Sequence, residues 1–275
     1  MRCRFITMVL LVFAAGCSQS GGSTIIHKVK ERRSFPRGAS LSVTNTNGRL
    51  SVTGLKNSNA LELKHEKRST AKTYVEAADL RDTSKLAVNV ADKAVTLEVK
   101  DPVLGPGQSL EHNIDLTIPE ETPVEIRQAN GPVSIKHIHG DISIDSSNGR
   151  IVVDDVGGMV KVHSSNGSIA VTGLSGGVSL DLSNGSVKVD VEKLACPKEG
   201  CRIKTLNGSV KVALPADAGV HIDAKTRNGG VQSELALENM HKGPGSLSGD
   251  LSGGGNSFKI EVQNGKIKLV KRYTE

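Results

Sequence analysis

Residues 130–185, NGPVSIKHIHGDISIDSSNGRIVVDDVGGMVKVHSSNGSIAVTGLSGGVSLDLSNG, decide the fold. Asn-Gly stands at Asn130-Gly131, Asn148-Gly149, Asn166-Gly167 and Asn184-Gly185, in three equal steps of 18 residues. A second glycine follows nine residues after the first, at Gly140, Gly158 and Gly176, so each unit divides into two similar halves. Between the glycines apolar and polar residues alternate. Ile142 and Ile144, Val160 and Val162, and Val178 and Leu180 precede an Asn; Val133 and Ile135, Ile151 and Val153, Ile169 and Val171, and Val187 and Val189 follow one. Period two with β-branched residues is the pattern of strands. Asn-Gly supplies the positive φ of a tight turn between them.

The pattern extends outward to Asn207-Gly208, Asn228-Gly229, Asn264-Gly265 and, upstream, Asn47-Gly48. The later steps are 23, 21 and 36 residues; the first contains CPKEGC and the second ALPADAG. A series of hairpins has no need of equal spacing, whereas a stack of coils does, because each coil buries its apolar face on an identical neighbour. The sequence therefore predicts an all-β protein, a β-solenoid or β-helix of 18-residue two-strand coils, in preference to a sandwich. Ile114 to Pro119 leading to Val124, and Val210 to Pro215 leading to Val220, read as the same coil with a wider corner closed by proline. Thr24 to Pro119 is less regular. Leu41, Val43, Leu50 and Val52 form one more coil around Asn47-Gly48, Lys72 to Asp82 reads as a helix with Val75, Ala78 and Leu80 apolar, and Leu86 to Val90 and Ala94 to Val99 read as strands. Such an irregular end is what a solenoid needs as a cap.

At the N-terminus, Arg2 and Arg4 precede an apolar run from Phe5 to Ala15, the layout of a secretory signal. The run is too short to span a bilayer, which takes roughly 20 residues. Ala14-Ala15-Gly16-Cys17 resembles the bacterial lipobox, with Ala14 where leucine is usual, and that resemblance implies cleavage before Cys17 and lipidation of its sulfur. Ser18 rather than Asp after the cysteine resembles outer-membrane sorting, and SQSGGS reads as a tether. The expected layout is a signal at 1–16, a tether at 17–24, an irregular β region and cap at 25–119 and the repeat at 120–275, the last two forming one continuous domain. Loss of Arg2 and Arg4 lowers the net charge from +6 to about +4, spread along the chain, which disfavours nucleic acid as a partner.

Cys196 and Cys201 remain as a pair. In an oxidising compartment they suit a disulfide; a zinc site would need ligands that His221 alone does not complete.

The strand-proline corner at Pro119 and the series Asn130, Asn148, Asn166 and Asn184 resemble the bacterial "putative adhesin" family, a domain of unknown function built of β-coils punctuated by Asn-Gly. The resemblance runs from about Leu41 to Val270 and implies a surface role by analogy.

Alignment of the coils on Asn places Arg127, Asp145, His163, Asp181, Lys204 and Lys225, and later Glu261, in one column three residues earlier. With rungs about 4.8 Å apart, these form an outward charge ladder with His163 between two carboxylates. The functional reading is a weak cation site or a proton-responsive element; the alternative is a solvated face of alternating charge. His137 and His139, at spacing two, could share a strand face and suit a metal, but they lack a third ligand. Asp154-Asp155 could serve a carbohydrate-cleaving enzyme only if a bulge turned both to one face. Gly253-Gly254-Gly255 lacks the context of a phosphate loop. With no Trp, and only Phe35, Tyr74, Phe258 and Tyr273 as aromatics beyond the signal, a sugar-stacking groove is disfavoured. The expectation is a non-enzymatic, lipid-anchored envelope protein without cofactor or metal that meets another envelope or extracellular macromolecule. A periplasmic scaffold is the second reading and a carbohydrate-active enzyme the third.

Overall fold

The computed structural model describes residues 14–17 and 22–272. Most of the expected signal, residues 1–13, and tether residues 18–21 lie outside the described residues. The described residues are mostly β with one helix, and the chain forms two compact units, Met1–Val133 and Ser134–Glu275.

The first unit contains β1 (Ala14–Cys17), β2 (Ser23–Ser34), β3 (Ser40–Asn47), β4 (Leu50–Leu55), β5 (Ala60–Ala71), α1 (Tyr74–Thr83), β6 (Lys85–Ala91), β7 (Ala94–Lys100), β8 (Ser109–Pro119) and β9 (Val124–Asn130). The coil expected around Asn47-Gly48 is present: Leu41, Val43, Leu50 and Val52 are fully buried. Its first strand, β3, lies parallel between β7 and β9, with Asn47 level with Asn130, and its second, β4, is parallel to β8. Antiparallel pairs β2–β5, β5–β8 and β6–β7 flank these parallel ones. The helix starts at a capping box in which Thr73 and Glu76 satisfy each other's backbone N–H groups. It buries Ala77 and Leu80, while Val75, expected on the apolar side, is 77% exposed.

The second unit contains β10 (Val133–Ile138), β11 (Ile142–Val156), β12 (Val160–Leu174), β13 (Val178–Val191), β14 (Cys201–Asn207), β15 (Val210–Leu214), β16 (Val220–Asn228), β17 (Val231–Ser233), β18 (Glu238–Gly243), β19 (Ser246–Leu251), β20 (Asn256–Asn264) and β21 (Ile267–Lys271). Strands β11, β12 and β13 stack in parallel, with residues 18 apart level up to Val171: Ile142 with Val160 and Val178, Ile151 with Ile169 and Val187. The CPKEGC loop leaves the register intact, since Asn184 is level with Asn207. Buried aliphatic columns result, and a fully buried Val or Ile in one contributes roughly 1.5–3 kcal/mol.

Two corrections follow. First, Asn-Gly is not a turn between two strands in β11 to β13; each runs unbroken through it. Glycine alone carries the positive φ, +146° at Gly149, +132° at Gly167 and +137° at Gly185. A reversing turn would end the strand, whereas a corner lets both halves stay paired to the rungs above and below. Side chains are excluded there, because a Cβ on Gly167 would run into the Gly149 carbonyl oxygen and one on Gly185 into that of Gly167. Second, sequence order is not stacking order. The last strands, β20 and β21, insert between earlier rungs: β20 is parallel to both β14 and β16, and β21 to both β15 and β17. Antiparallel β19 and β18 then continue from β16.

Candidate functional site

The repeat asparagines form an amide ladder in the second unit. Asn166 Nδ2 donates to Asn148 Oδ1 (3.0 Å), Asn184 to Asn166 (3.1 Å), Asn207 to Asn184 (2.9 Å), Asn264 to Asn207 (2.7 Å) and Asn228 to Asn264 (2.7 Å). Each inner amide of the row, from Asn166 to Asn264, accepts from one rung and donates to the other, which is why the residue type repeats with the glycine. In the first unit Asn130 is level with Asn47, whose Nδ2 donates to Leu110 O (3.4 Å).

The expected charge ladder exists in a different order. Asp145, His163, Asp181 and Lys204 are successive, but Glu261 follows Lys204, and Lys225 follows Glu261. Insertion of β20 thus separates two lysines that sequence order places side by side. His163 is level with Asp145 on one side and Asp181 on the other, and no hydrogen bond or ion pair joins it to either among the described residues. Arg127 belongs to the first unit, level with Thr44 and ion-paired to Glu125 at 2.7 Å.

His137 and His139 do not share a strand face. His137 has φ +54° and pairs with Asp155 (Nδ1 to Oδ2, 2.7 Å), and β10 ends at Ile138. The bulge that Asp154-Asp155 requires is present: Asp155 has φ +53°, and Gly173, 18 residues on, has φ +61°. His137, Asp155 and Gly173 are thus a left-handed column at the repeat spacing, a backbone region that His, Asp and Gly tolerate well. It turns both carboxylates outward between buried Val153 and Val156, yet to different partners, because Asp154 accepts from Thr172 Oγ1 (2.5 Å). β13 lacks the extra residue, and Leu174 is level with Val191.

Cys196 and Cys201 are bridged, with Cα atoms 5.2 Å apart, and Cys201 is buried at the start of β14. Gly253-Gly254-Gly255 is a turn between β19 and β20. Cys17 closes β1, opposite Ser23 of β2.

The sequence reading missed a buried polar cluster in the first unit. Inward positions of β5 read Leu61, Leu63, His65, Lys67, Ser69 and Ala71, and His112 interrupts the inward apolar row of β8. His65 Nε2 lies 2.9 Å from His112 Nδ1, and His112 Nε2 lies 2.9 Å from Asp101 Oδ1. The carboxylate fixes the tautomers: His112 donates from Nε2, so its Nδ1 accepts from His65. Ser84 Oγ donates to Asp101 (2.7 Å), and Lys67 Nζ donates to Ser84 O (2.6 Å) and to Arg81 O, tying β5 to the end of α1.

Burial, with His112 and Lys67 close by, pushes His65 down to about 3. Burial also lowers Lys67, against the pull of Asp82 and Asp101. Burial alone would raise Asp101, but hydrogen bonds from His112 and Ser84 and their charge environment outweigh it and hold the carboxyl low. The set contains Ser, His and Asp without the geometry of a nucleophilic triad. Ser84 and Asp101 meet the same nitrogen of His112, 3.1 and 2.9 Å away, where a relay needs them on opposite nitrogens. His112 is also fully buried. The polar alternation in β5 was the available signal; without the partner strand it does not identify His112 or Asp101.

A family model described as Toastrack DUF4097 matches residues 36–270. No curated protein matches the chain. Among solved structures, a "putative cell adhesion protein" from Clostridium sporogenes is 16% identical, with 89% of this chain and 100% of that one covered and a TM-score of 0.35. A "putative adhesin" from Bacteroides fragilis is 10% identical, with 89% and 97% covered and a TM-score of 0.39. A "putative lipid binding protein" from Parabacteroides distasonis is 8% identical, with 90% and 97% covered and a TM-score of 0.22. At these scores the likeness carries no argument, and the labels stay with those proteins.

Proposed function

The chain belongs to the Toastrack DUF4097 family, and from that premise we propose that it is a non-enzymatic, lipid-anchored envelope protein. Its parallel stack, read as a β-solenoid, presents ordered rows of side chains to another envelope or extracellular macromolecule. The observation that carries this reading is the register of the second unit. Parallel pairing places Asp145, His163, Asp181, Lys204, Glu261 and Lys225 on successive rungs, so polar groups stand in fixed columns over a rigid aliphatic core. Such a surface suits a partner engaged over many rungs better than a substrate held at one point. The acidic, histidine and serine groups considered as catalytic candidates each have separate structural partners. The lipobox resemblance at Cys17 and the short apolar run before it support the anchor and an outer-membrane address.

Protease treatment of intact cells that carry a C-terminally tagged copy, with lysed cells as control, tests the reading. Loss of the tag from intact cells is the expected result. Protection until lysis would overturn the surface role and leave the periplasmic scaffold as the account.

A further inference from the structure

The outer face of the β2–β5–β8 sheet carries charge in rows across the three strands. In most rows the signs are complementary: Lys28 is level with Glu66, with ions 2.8 Å apart, Arg32 is level with Glu62 at 3.7 Å, and Arg68 is level with Glu111. One row breaks the rule. Lys30 stands directly opposite Lys64, where cross-strand Cβ atoms are only about 5 Å apart and like charges destabilise the pair. The carboxylate next in that row, Asp115, is engaged from both oxygens by Arg49, at 3.1 and 3.0 Å. Among the described residues neither Lys30 nor Lys64 has an ion-pair partner, and both are exposed. The two open onto a groove of about 520 Å³ that is also lined by Lys28, Arg49 and Arg68 and by the carboxylates Glu66, Glu111 and Asp115.

A pair of uncompensated ammonium groups over a groove, beside three cations already ion-paired to its carboxylates, complements a compact anion with several oxygens. We propose that this groove binds the phosphate of anionic phospholipid headgroups, held between Lys30 and Lys64, so that this face of the first unit lies on the membrane. The choice of a lipid source rests on the Cys17 anchor proposed above. Cleavage before Cys17 removes the other three residues of β1, so reach is set by chain length: Lys30 is 13 residues from Cys17, at most about 45 Å of extended chain. An anchored chain therefore keeps the groove within about 45 Å of the bilayer surface, in reach of its headgroups.

The test uses the mature chain from residue 17 with Cys17→Ser, which has no lipid of its own, so its outcome is independent of whether the anchor exists. Sedimentation is measured with phosphatidylglycerol/phosphatidylcholine vesicles and with phosphatidylcholine vesicles alone, with and without inorganic phosphate as a soluble competitor. Binding to the anionic vesicles only, weakened about fivefold by K30Q and about 30-fold by K30A/K64A, is the expected result, since each lysine near an anionic surface is worth about a factor of five. The double variant K161A/K266A removes the same charge from single exposed lysines of the second unit, Lys161 standing between Ser143 and Ser179, and is expected to bind within about twofold of the parent. No binding to anionic vesicles, equal binding to both vesicle types, or equal loss in the two double variants would overturn the proposal. So would phosphate competition that abolishes binding at low millimolar levels, because it would make the site one for the free ion.

Discussion

Replacement of Gly185 by Ala probes the corner on which the parallel stack depends. The backbone there has φ +137°, and an added Cβ would run into the Gly167 carbonyl oxygen on the neighbouring rung. Holding an L side chain in that region costs about 1–3 kcal/mol. Relief of the overlap also requires the two rungs to part, which strains the Asn166–Asn184 and Asn184–Asn207 amide bonds at 3.1 and 2.9 Å. At about 1 kcal/mol for each lost bond, the expected total is about 3–5 kcal/mol, a large share of the 5–15 kcal/mol typical of a folded domain. A chain of this length should lose roughly 2–4 °C of Tm per kcal/mol, so a fall of about 6–20 °C is expected in a thermal melt followed by strand circular dichroism. Gly230→Ala is the control, because a Cβ there meets nothing within 4 Å. Equal small shifts in the two variants would refute the reasoning.

Three further outcomes follow from the geometry. His65 has a folded-state pKa of about 3, below its ordinary 6.5, so the unfolded chain takes up a proton that the folded chain refuses. Stability should be full above about pH 6.5 and fall as pH drops toward 3, by about 4 kcal/mol at 1.36 kcal/mol per unit; denaturant melts across that window should show a much shallower slope in His65→Gln. Ser164 Oγ is buried without a hydrogen-bond partner among the described residues, in a column where Leu182 takes the next rung; Ser164→Ala should be neutral or stabilising by about 1 kcal/mol, and a loss above about 1 kcal/mol would contradict that account. Glu261→Lys would put three lysines on successive rungs with Lys204 and Lys225; it should destabilise by about 0.5–1 kcal/mol at low salt and less at high salt, whereas the sequence-order ladder predicts no such coupling to Lys204.

Much of the second unit is legible in the sequence because the same physics repeats every 18 residues. The aliphatic columns, the corner glycines and the register through CPKEGC are local patterns copied from coil to coil. The position of β20 and β21 is not legible: their Asn264-Gly265 corner fits any rung equally well, and only the pairing shows that it follows Asn207-Gly208. The bulge at His137, Asp155 and Gly173 was hidden for another reason, since one extra residue per rung leaves the 18-residue period unchanged. In the first unit, antiparallel strands far apart in sequence supply the structure, so the 47-residue separation of His65 and His112 carries no periodic trace of their contact. The helix was legible from its apolar residues and misjudged at Val75, because only its packing decides that Ala77 points inward with Leu80.

The measurement that tests the account most directly is mass spectrometry of the N-terminal peptide of the protein taken from the cell envelope. The account predicts a chain that begins at Cys17 and carries acyl-glyceryl mass on that residue, with Cys17→Ser found in the soluble fraction. A chain that retains Met1, or an unmodified Cys17 with the Ser variant still in the membrane fraction, would contradict it.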